Sequence, residues 1–210
     1  MKAEGVLKQV ADEVSSCEKC VLYHSRKLAV PGEGPVNAEI MFIGEGPGFH
    51  ENEQGRPFVG AAGKFLEELL ARIGLKREQV FITNVVKCRP PSNRDPHPEE
   101  VETCTSTYLE RQIQAINPKV IVTLGRYSMG LYLPNAKISS VHGQAMQVRG
   151  RLIVPMYHPA AALHQQSLKP EIESDFARLP QLISKATDVP EYVEQAAPEE
   201  KQEPKQLSLF

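Results

Sequence analysis

Four cysteines, a lone asparagine in an apolar run, one histidine and two glutamates are the residues of this chain whose types and spacing could do chemistry. The cysteines fall as Cys17-x2-Cys20, then Cys88, then Cys104 after fifteen intervening residues. Four thiolates match the ligand count of a tetrahedral zinc ion and of a cubic iron–sulfur cluster. A CxxC pair with two buried free thiols satisfies the same spacing, and the spacing does not choose among the three. No substrate-like groups neighbour these cysteines in sequence, so the role they imply is structural, tying the N-terminal segment to the loop around Cys88.

The second set begins at Gly44-Glu45-Gly46-Pro47-Gly48. Glycines let backbone N–H groups converge on an anion, although a plain tight turn has the same composition. Glu51 follows, and then Phe58 in a Gly- and Pro-rich loop, as packed core or as a stacking platform. Asn84 interrupts a β-branched run, and a buried amide must find hydrogen bonds, from a neighbouring loop or from a ligand. His158, between Tyr157 and Pro159, fits a satisfied structural histidine or a catalytic one.

These residues must be positioned by regular elements. Residues 38–43 and 80–86 read as buried strands, 120–124 as a third, and 144–149 and 152–155 as two extended segments around Gly150. Helical spacing marks 6–14, 64–73, 99–116, 126–133, 159–166 and 171–185, with Pro180 expected to kink the last. Four prolines make 88–98 a loop. Strands alternating with helices predict an α/β fold around a mainly parallel sheet, its four main strands starting near 39, 80, 120 and 152. In such folds ligands bind at the carboxyl ends of strands, where Gly44–Gly48, Asn84 and His158 all fall.

Composition narrows the class. The chain has 210 residues, 41% hydrophobic, with a net charge of −2. That suffices for one core without disulfides. No apolar run reaches the roughly 18 residues of a membrane span, and the first residues lack the apolar stretch of a secretory signal, so a cytoplasmic protein is expected. From residue 187 onward there are two lysines and six acidic residues, which leaves 22 basic and 20 acidic side chains before it. The predicted organisation is a folded domain over 1–186, a disordered acidic linker over 187–205, and an apolar terminal peptide over 206–210.

Taken together, GEGPGFHENEQGRPFVGAAGKFL, TNVVKCRPP, PMYHPAAAL and the four cysteines resemble the family 4 uracil-DNA glycosylases, over roughly residues 10–185. A related branch binds uracil-DNA covalently through an extra basic loop containing a histidine; residues 87–99 hold no such insertion. The resemblance implies a three-layer α/β/α sandwich with a mainly parallel four-stranded central sheet. It implies excision of uracil from single- and double-stranded DNA by hydrolysis of the N-glycosidic bond, leaving an abasic site. It also implies one structural [4Fe-4S] cluster on Cys17, Cys20, Cys88 and Cys104, with no metal in the chemistry, and a monomer working at the nucleoid. The rival readings are a non-catalytic binder of uracil or abasic DNA and a zinc-stabilised nucleotide-binding protein.

By the same resemblance Gly44, Gly46, Phe58, Asn84 and His158 bind the flipped base. Phe58 stacks, Asn84 reads the pyrimidine edge through an amide held by some neighbouring bond, and His158 donates to O2. Glu45 and Glu51 are the carboxylates left to position water, because Gly46 stands where better-known uracil glycosylases place an aspartate. Lys87, Arg89 and Arg94 are candidate phosphate contacts. Three positions depart from the family pattern. Asn52 replaces a usual aspartate, and His142 and His164 replace common arginines, which predicts DNA affinity that weakens from pH 6 to pH 8. The last five residues resemble the bacterial sliding-clamp-binding pentapeptide, with Gln206, Leu207, Leu209 and Phe210 as anchors. The nineteen-residue leash before them would reach roughly 25 Å.

Overall fold

The computed structural model describes residues 2–184 and Tyr192. The acidic linker, Tyr192 apart, and the anchors Gln206, Leu207, Leu209 and Phe210 lie outside the described residues. In chain order the elements are α1 (Ala3–Ser15), β1 (Ile40–Gly44), α2 (Phe49–Gln54), α3 (Ala61–Arg72), β2 (Phe81–Asn84), α4 (Pro98–Cys104), α5 (Glu110–Ile116), β3 (Val120–Leu124), α6 (Arg126–Gly130), α7 (Ile138–Val141), β4 (Met146–Val148), β5 (Arg151–Met156), α8 (Pro159–His164) and α9 (Lys169–Ser184). A π-helical turn, Thr105–Leu109, joins α4 to α5, so the predicted helix over 99–116 is continuous but carries a bulge directly after Cys104. Helix α9 runs through Pro180.

The sheet order is β2-β1-β3-β5-β4. The first four of these strands are parallel, and β4 pairs antiparallel with β5. The four-stranded expectation is therefore corrected to five. Segment 144–149 supplies a three-residue edge strand, joined to β5 by a two-residue turn in which Arg149 and Gly150 both have positive φ. That geometry suits a tight hairpin between right-twisted strands. Tyr192 donates its N–H to Gln147 O on β4 at 2.7 Å.

Alternation along the strands separates two cores. Met41, Ile43, Phe81, Ile121 and Ile153 face one side, where α1, the π turn, α5 and α6 cover them. Phe42, Ile82, Val120, Val122, Leu124, Leu152, Val154 and Met156 face the other, under α3, α8 and α9. Phe42 stacks on Phe176 of α9, with ring centroids 6.1 Å apart. This is the expected three-layer sandwich. Helix α3 buries Phe65, Leu66, Leu69 and Leu70 at helical spacing. It stops where Leu75 N–H returns to Leu70 O and Gly74 N–H to Ala71 O, a closed C-terminal turn. The consequence for function is the period-two switch at the end of β2. Thr83 turns toward the α1/α5 side, and Asn84 belongs to the α3/α8 side, where Phe58 lies.

Candidate active site

Three strands deliver the site at their carboxyl ends. Glu45, Gly46 and Gly48 follow β1, Asn84 ends β2, and His158 follows β5. With Glu51, Phe58, Pro90, Arg94, Asp95 and His164 they line one cleft of about 500 Å³. The residues singled out in the sequence thus converge, in the crevice that a parallel sheet leaves at its strand tips.

Asn84 is 2% exposed, and its Oδ1 has no hydrogen-bond partner. Among the described residues it shares that state only with the Thr105 and Thr123 hydroxyls, neither of which lines the cleft. Among the described residues no hydrogen bond reaches the amide oxygen, contrary to expectation, and packing confines it instead. A side chain on Gly44 would collide with Asn84 Oδ1 and would come within 2.7 Å of Phe58 Cζ. The glycine at the tip of β1 is what lets amide and ring meet. Phe58 is buried at φ 52°, a left-handed conformation that a bulky residue adopts only when its surroundings impose it. They do so from three sides. Arg77 donates Nη1–H to Phe58 O at 2.8 Å and Nη2–H to Pro57 O. Glu51 Oε1 accepts from Val59 N–H and Gly60 N–H, both at 2.8 Å. Gly63 of α3 has no Cβ where one would overlap the Phe58 carbonyl.

His158 caps α8. Its Nδ1 accepts from Ala160 N–H at 3.1 Å, so the ring proton sits on Nε2. Burial pushes its pKa down to about 4, against a weaker opposing pull from Glu51. The imidazole is therefore neutral at physiological pH, with one N–H to donate. Its ring lies 5.4 Å from that of Phe58, at 27°. The Glu45 carboxylate makes no hydrogen bond among the described residues. Burial, helped by the nearby Asp95 charge, raises its pKa above the usual carboxylate range.

The cleft thus gathers a buried unpaired amide, an aromatic ring and a neutral imidazole N–H, and comparison with known proteins gives its family. The profile of the uracil DNA glycosylase superfamily matches residues 31–178. The chain belongs to that superfamily. It is 49% identical over 188 residues to the type-4 uracil-DNA glycosylase of Sulfurisphaera tokodaii, covering 84% of each chain. It is 50% identical to that of Archaeoglobus fulgidus, covering 85% of this chain and 94% of the relative. To the Thermotoga maritima type-4 enzyme it is 43% identical, with 78% and 86% covered.

The rim of this superfamily cleft differs from expectation in its cations. Lys87 is not a surface contact: it is 1% exposed and points beneath β2. Arg94 is taken by the buried Glu100 carboxylate through both Nη atoms, at 2.9 and 2.6 Å. Arg89 bonds Asn93 Oδ1 at 2.8 Å and lies over the exposed Phe49 ring. Arg126 pairs with Asp95 at the mouth. Asn52 is turned inward, where its Oδ1 accepts from Lys27 N–H at 2.9 Å. His142 Nδ1 is 2.7 Å from Asp175 Oδ2, and Asp175 also binds Arg178, so this histidine belongs to a buried-carboxylate network. Only His164 of the two arginine replacements lines the cleft.

The four cysteines come together on the far side of β2. None is disulfide-bonded. They line one cavity with Val14, Leu22, Val86 and Tyr108. Donors reach two of the sulfurs: Lys19 N–H to Cys17 Sγ at 3.5 Å and Arg26 Nη1–H to Cys88 Sγ at 3.6 Å. Burial lifts the bare Cys104 thiol to about 12. N–H groups aimed at buried sulfur suit bound thiolates, whose charge a metal centre offsets. Among the described residues no three Cys, His, Asp or Glu side chains close on a single ion.

Arg77, Gly63 and the inward Lys87 carry no local pattern that names a role. The one available signal was the largely apolar neighbourhood of Lys87, from Val80 to Cys88, broken only by Thr83 and Asn84.

Proposed function

We propose that the cleft takes a uracil flipped out of DNA and hydrolyses its N-glycosidic bond, leaving an abasic site, as a DNA-repair uracil-DNA glycosylase. The observation that carries this reading is the Asn84 Oδ1, buried and unpartnered at the edge of the Phe58 ring. A buried acceptor left unmade costs about 1–3 kcal/mol, which a ligand N–H recovers. Uracil presents that donor at N3 and an acceptor at O4 for the amide NH2, whereas cytosine presents the reverse. Phe58 adds about 1–3 kcal/mol of stacking that any base would share, so the amide carries the specificity.

His158 then acts on the transition state. As the bond stretches, negative charge grows on the departing base. A neutral Nε2–H aimed at O2 stabilises that charge more than it stabilises the bound base. Glu45, half-buried and without a hydrogen bond among the described residues, orients the attacking water or offsets the cationic sugar. Glu51 holds the Phe58 loop through Val59 and Gly60 while its charge faces His158, which makes it a positioning residue.

Cys17, Cys20, Cys88 and Cys104 would hold one [4Fe-4S] cluster, supported by the cavity that all four line and by their ligand count. When bound, the cluster cross-links the segment after α1 to the β2 loop and α4. The substrate is uracil in single- or double-stranded DNA, and the C-terminal Gln206–Phe210 anchors would engage a sliding clamp.

Asn84→Asp tests the reading, since a carboxylate accepts from N3–H but repels O4. On a panel of U·G, U·A, single-stranded U and T·G oligonucleotides, the wild type should release uracil and the variant should lose at least 100-fold in single-turnover rate. Wild-type rates in the variant would overturn Asn84 as the reader.

A further inference from the structure

Among the described residues Lys87 is the one fully buried lysine, and the catalytic reading leaves it unused. Its Nζ donates to Thr83 Oγ1 at 2.6 Å, Asn84 O at 2.8 Å and Gln112 Oε1 at 2.8 Å. Each of its three protons has an acceptor, and every acceptor is neutral. Gln112 and Thr83 are in turn anchored on Pro31 O, at 2.7 and 3.1 Å. Among the described residues no carboxylate pairs with the ammonium. A buried cation without an opposite charge costs several kcal/mol. Groups that become anionic as metal ligands do lie beside it in sequence and space: Lys87 lines the cysteine cavity and precedes Cys88. Four thiolates on a [4Fe-4S] core leave net negative charge, which is the missing counterpart.

We propose that Lys87 is a positioning residue, its ammonium balanced by the thiolate-bound cluster on one side and holding the Asn84 carbonyl, and so the base-reading end of β2, on the other. The proposal rests on the cluster reading given above. It makes the cysteine lobe part of uracil recognition by way of one side chain, although no atom of that lobe need touch DNA.

The test uses the full-length protein as purified, in wild-type, Lys87→Met and Thr83→Val forms. Iron content, visible absorption, cluster reduction potential and single-turnover uracil excision are measured on each. Lys87→Met should keep iron but move the potential to a more negative value, because a nearby positive charge no longer favours the added electron. Its excision rate should fall at least tenfold, with DNA affinity within about threefold of wild type. Thr83→Val keeps the ammonium and removes one of its acceptors, so it should leave the potential in place and lower the rate severalfold. A lysine that merely supports folding would lower the melting temperature without moving the potential. Wild-type potential and rate in iron-loaded Lys87→Met would overturn the proposal. Should that variant fail to fold, an unchanged excision rate in Thr83→Val would overturn it. An iron-free wild type would overturn the cluster reading itself, and the charge balance with it, whatever the variants do.

Discussion

Thr83 and Asn84 are neighbours at the end of one strand, yet they face regions built on opposite rules. On the Thr83 side the polar groups around Lys87 are met, although the Thr105 and Thr123 hydroxyls are not: three acceptors surround Lys87 Nζ, and Gln112 and Thr83 both return to Pro31 O. On the Asn84 side polar groups are left open: among the described residues its Oδ1 has no partner and the Glu45 carboxylate makes no hydrogen bond. The difference teaches how to read buried polarity. A satisfied network stabilises one conformation, whereas an unsatisfied group in a cleft marks where a ligand completes the pairing. The same strand end serves both, because successive residues point to opposite faces of the sheet.

The comparison breaks first at His158. If the open side is the chemical side, His158→Ala should lower the single-turnover rate about 100- to 1,000-fold, the usual effect of losing one donor to a developing anion. DNA affinity should stay within a few-fold of wild type. Because burial holds the imidazole near 4, the wild-type rate should show no limb near pH 6.5, the ordinary titration range of histidine. Equal losses in rate and affinity, or a steep rate change around pH 6.5, would remove the role of a neutral donor.

Glu45 gives the next largest effect. Glu45→Gln should cost about 100-fold in rate if the carboxylate orients water, at the low end of general-base contributions. Burial raises the Glu45 pKa, with Asp95 adding to it. The charged form is therefore lost as pH falls through a value above the ordinary 4.5, and activity should fall in the same direction. A pH–rate profile should show this acid limb in the wild type and lack it in Glu45→Gln. An identical limb in both proteins would assign it to another group.

Much of the open side was readable in the sequence because it consists of polar exceptions within apolar runs. Asn84 after Phe81-Ile-Thr and His158 after the β5 run stand out by type, and strand ends are where such residues gather. The satisfied side was not readable in the same way. Lys87 looks like a phosphate contact until the strand places it beneath the sheet, between the buried Val86 and Cys88. Segment 144–149 read as extended but was not counted as a fifth strand, because the three paired residues at the sheet edge, one buried and two half-exposed, carry too short an alternation. Arg94 was misjudged because its partner Glu100 is brought to it by the turn into α4, which no spacing rule reports.

Arg77 sharpens the comparison, because it is a fully engaged side chain that serves the open side. Its side chain is 9% exposed, and its guanidinium forks between Glu33 Oε1 at 2.6 Å and the carbonyls of Phe58 and Pro57. Glu33 is itself fastened to β2 through paired backbone bonds with Ile82, at 3.0 and 2.8 Å. The strand that carries Asn84 thus also carries, through Glu33 and Arg77, the ring that stacks beside Asn84. Phe58 is held at positive φ, a conformation costing on the order of 1–3 kcal/mol that persists only under constraint. Arg77→Met removes two charged hydrogen bonds to that loop and should lower kcat/KM for uracil excision about tenfold, in line with roughly 1.5–3 kcal/mol for each such bond, partly offset by relaxation of the loop. Arg77→Lys should recover little of the loss, since a point charge cannot span two carbonyls and a carboxylate in one plane. Iron content and visible absorption should match the wild type in both variants, because the fork lies on the opposite face of the sheet from the cysteines. Paired measurements of melting temperature and kcat/KM decide the matter: a lowered melting temperature with wild-type kcat/KM would make Arg77 a support of the fold alone, and the rigidity of Phe58 would then have to come from Glu51 and the packing at Gly63.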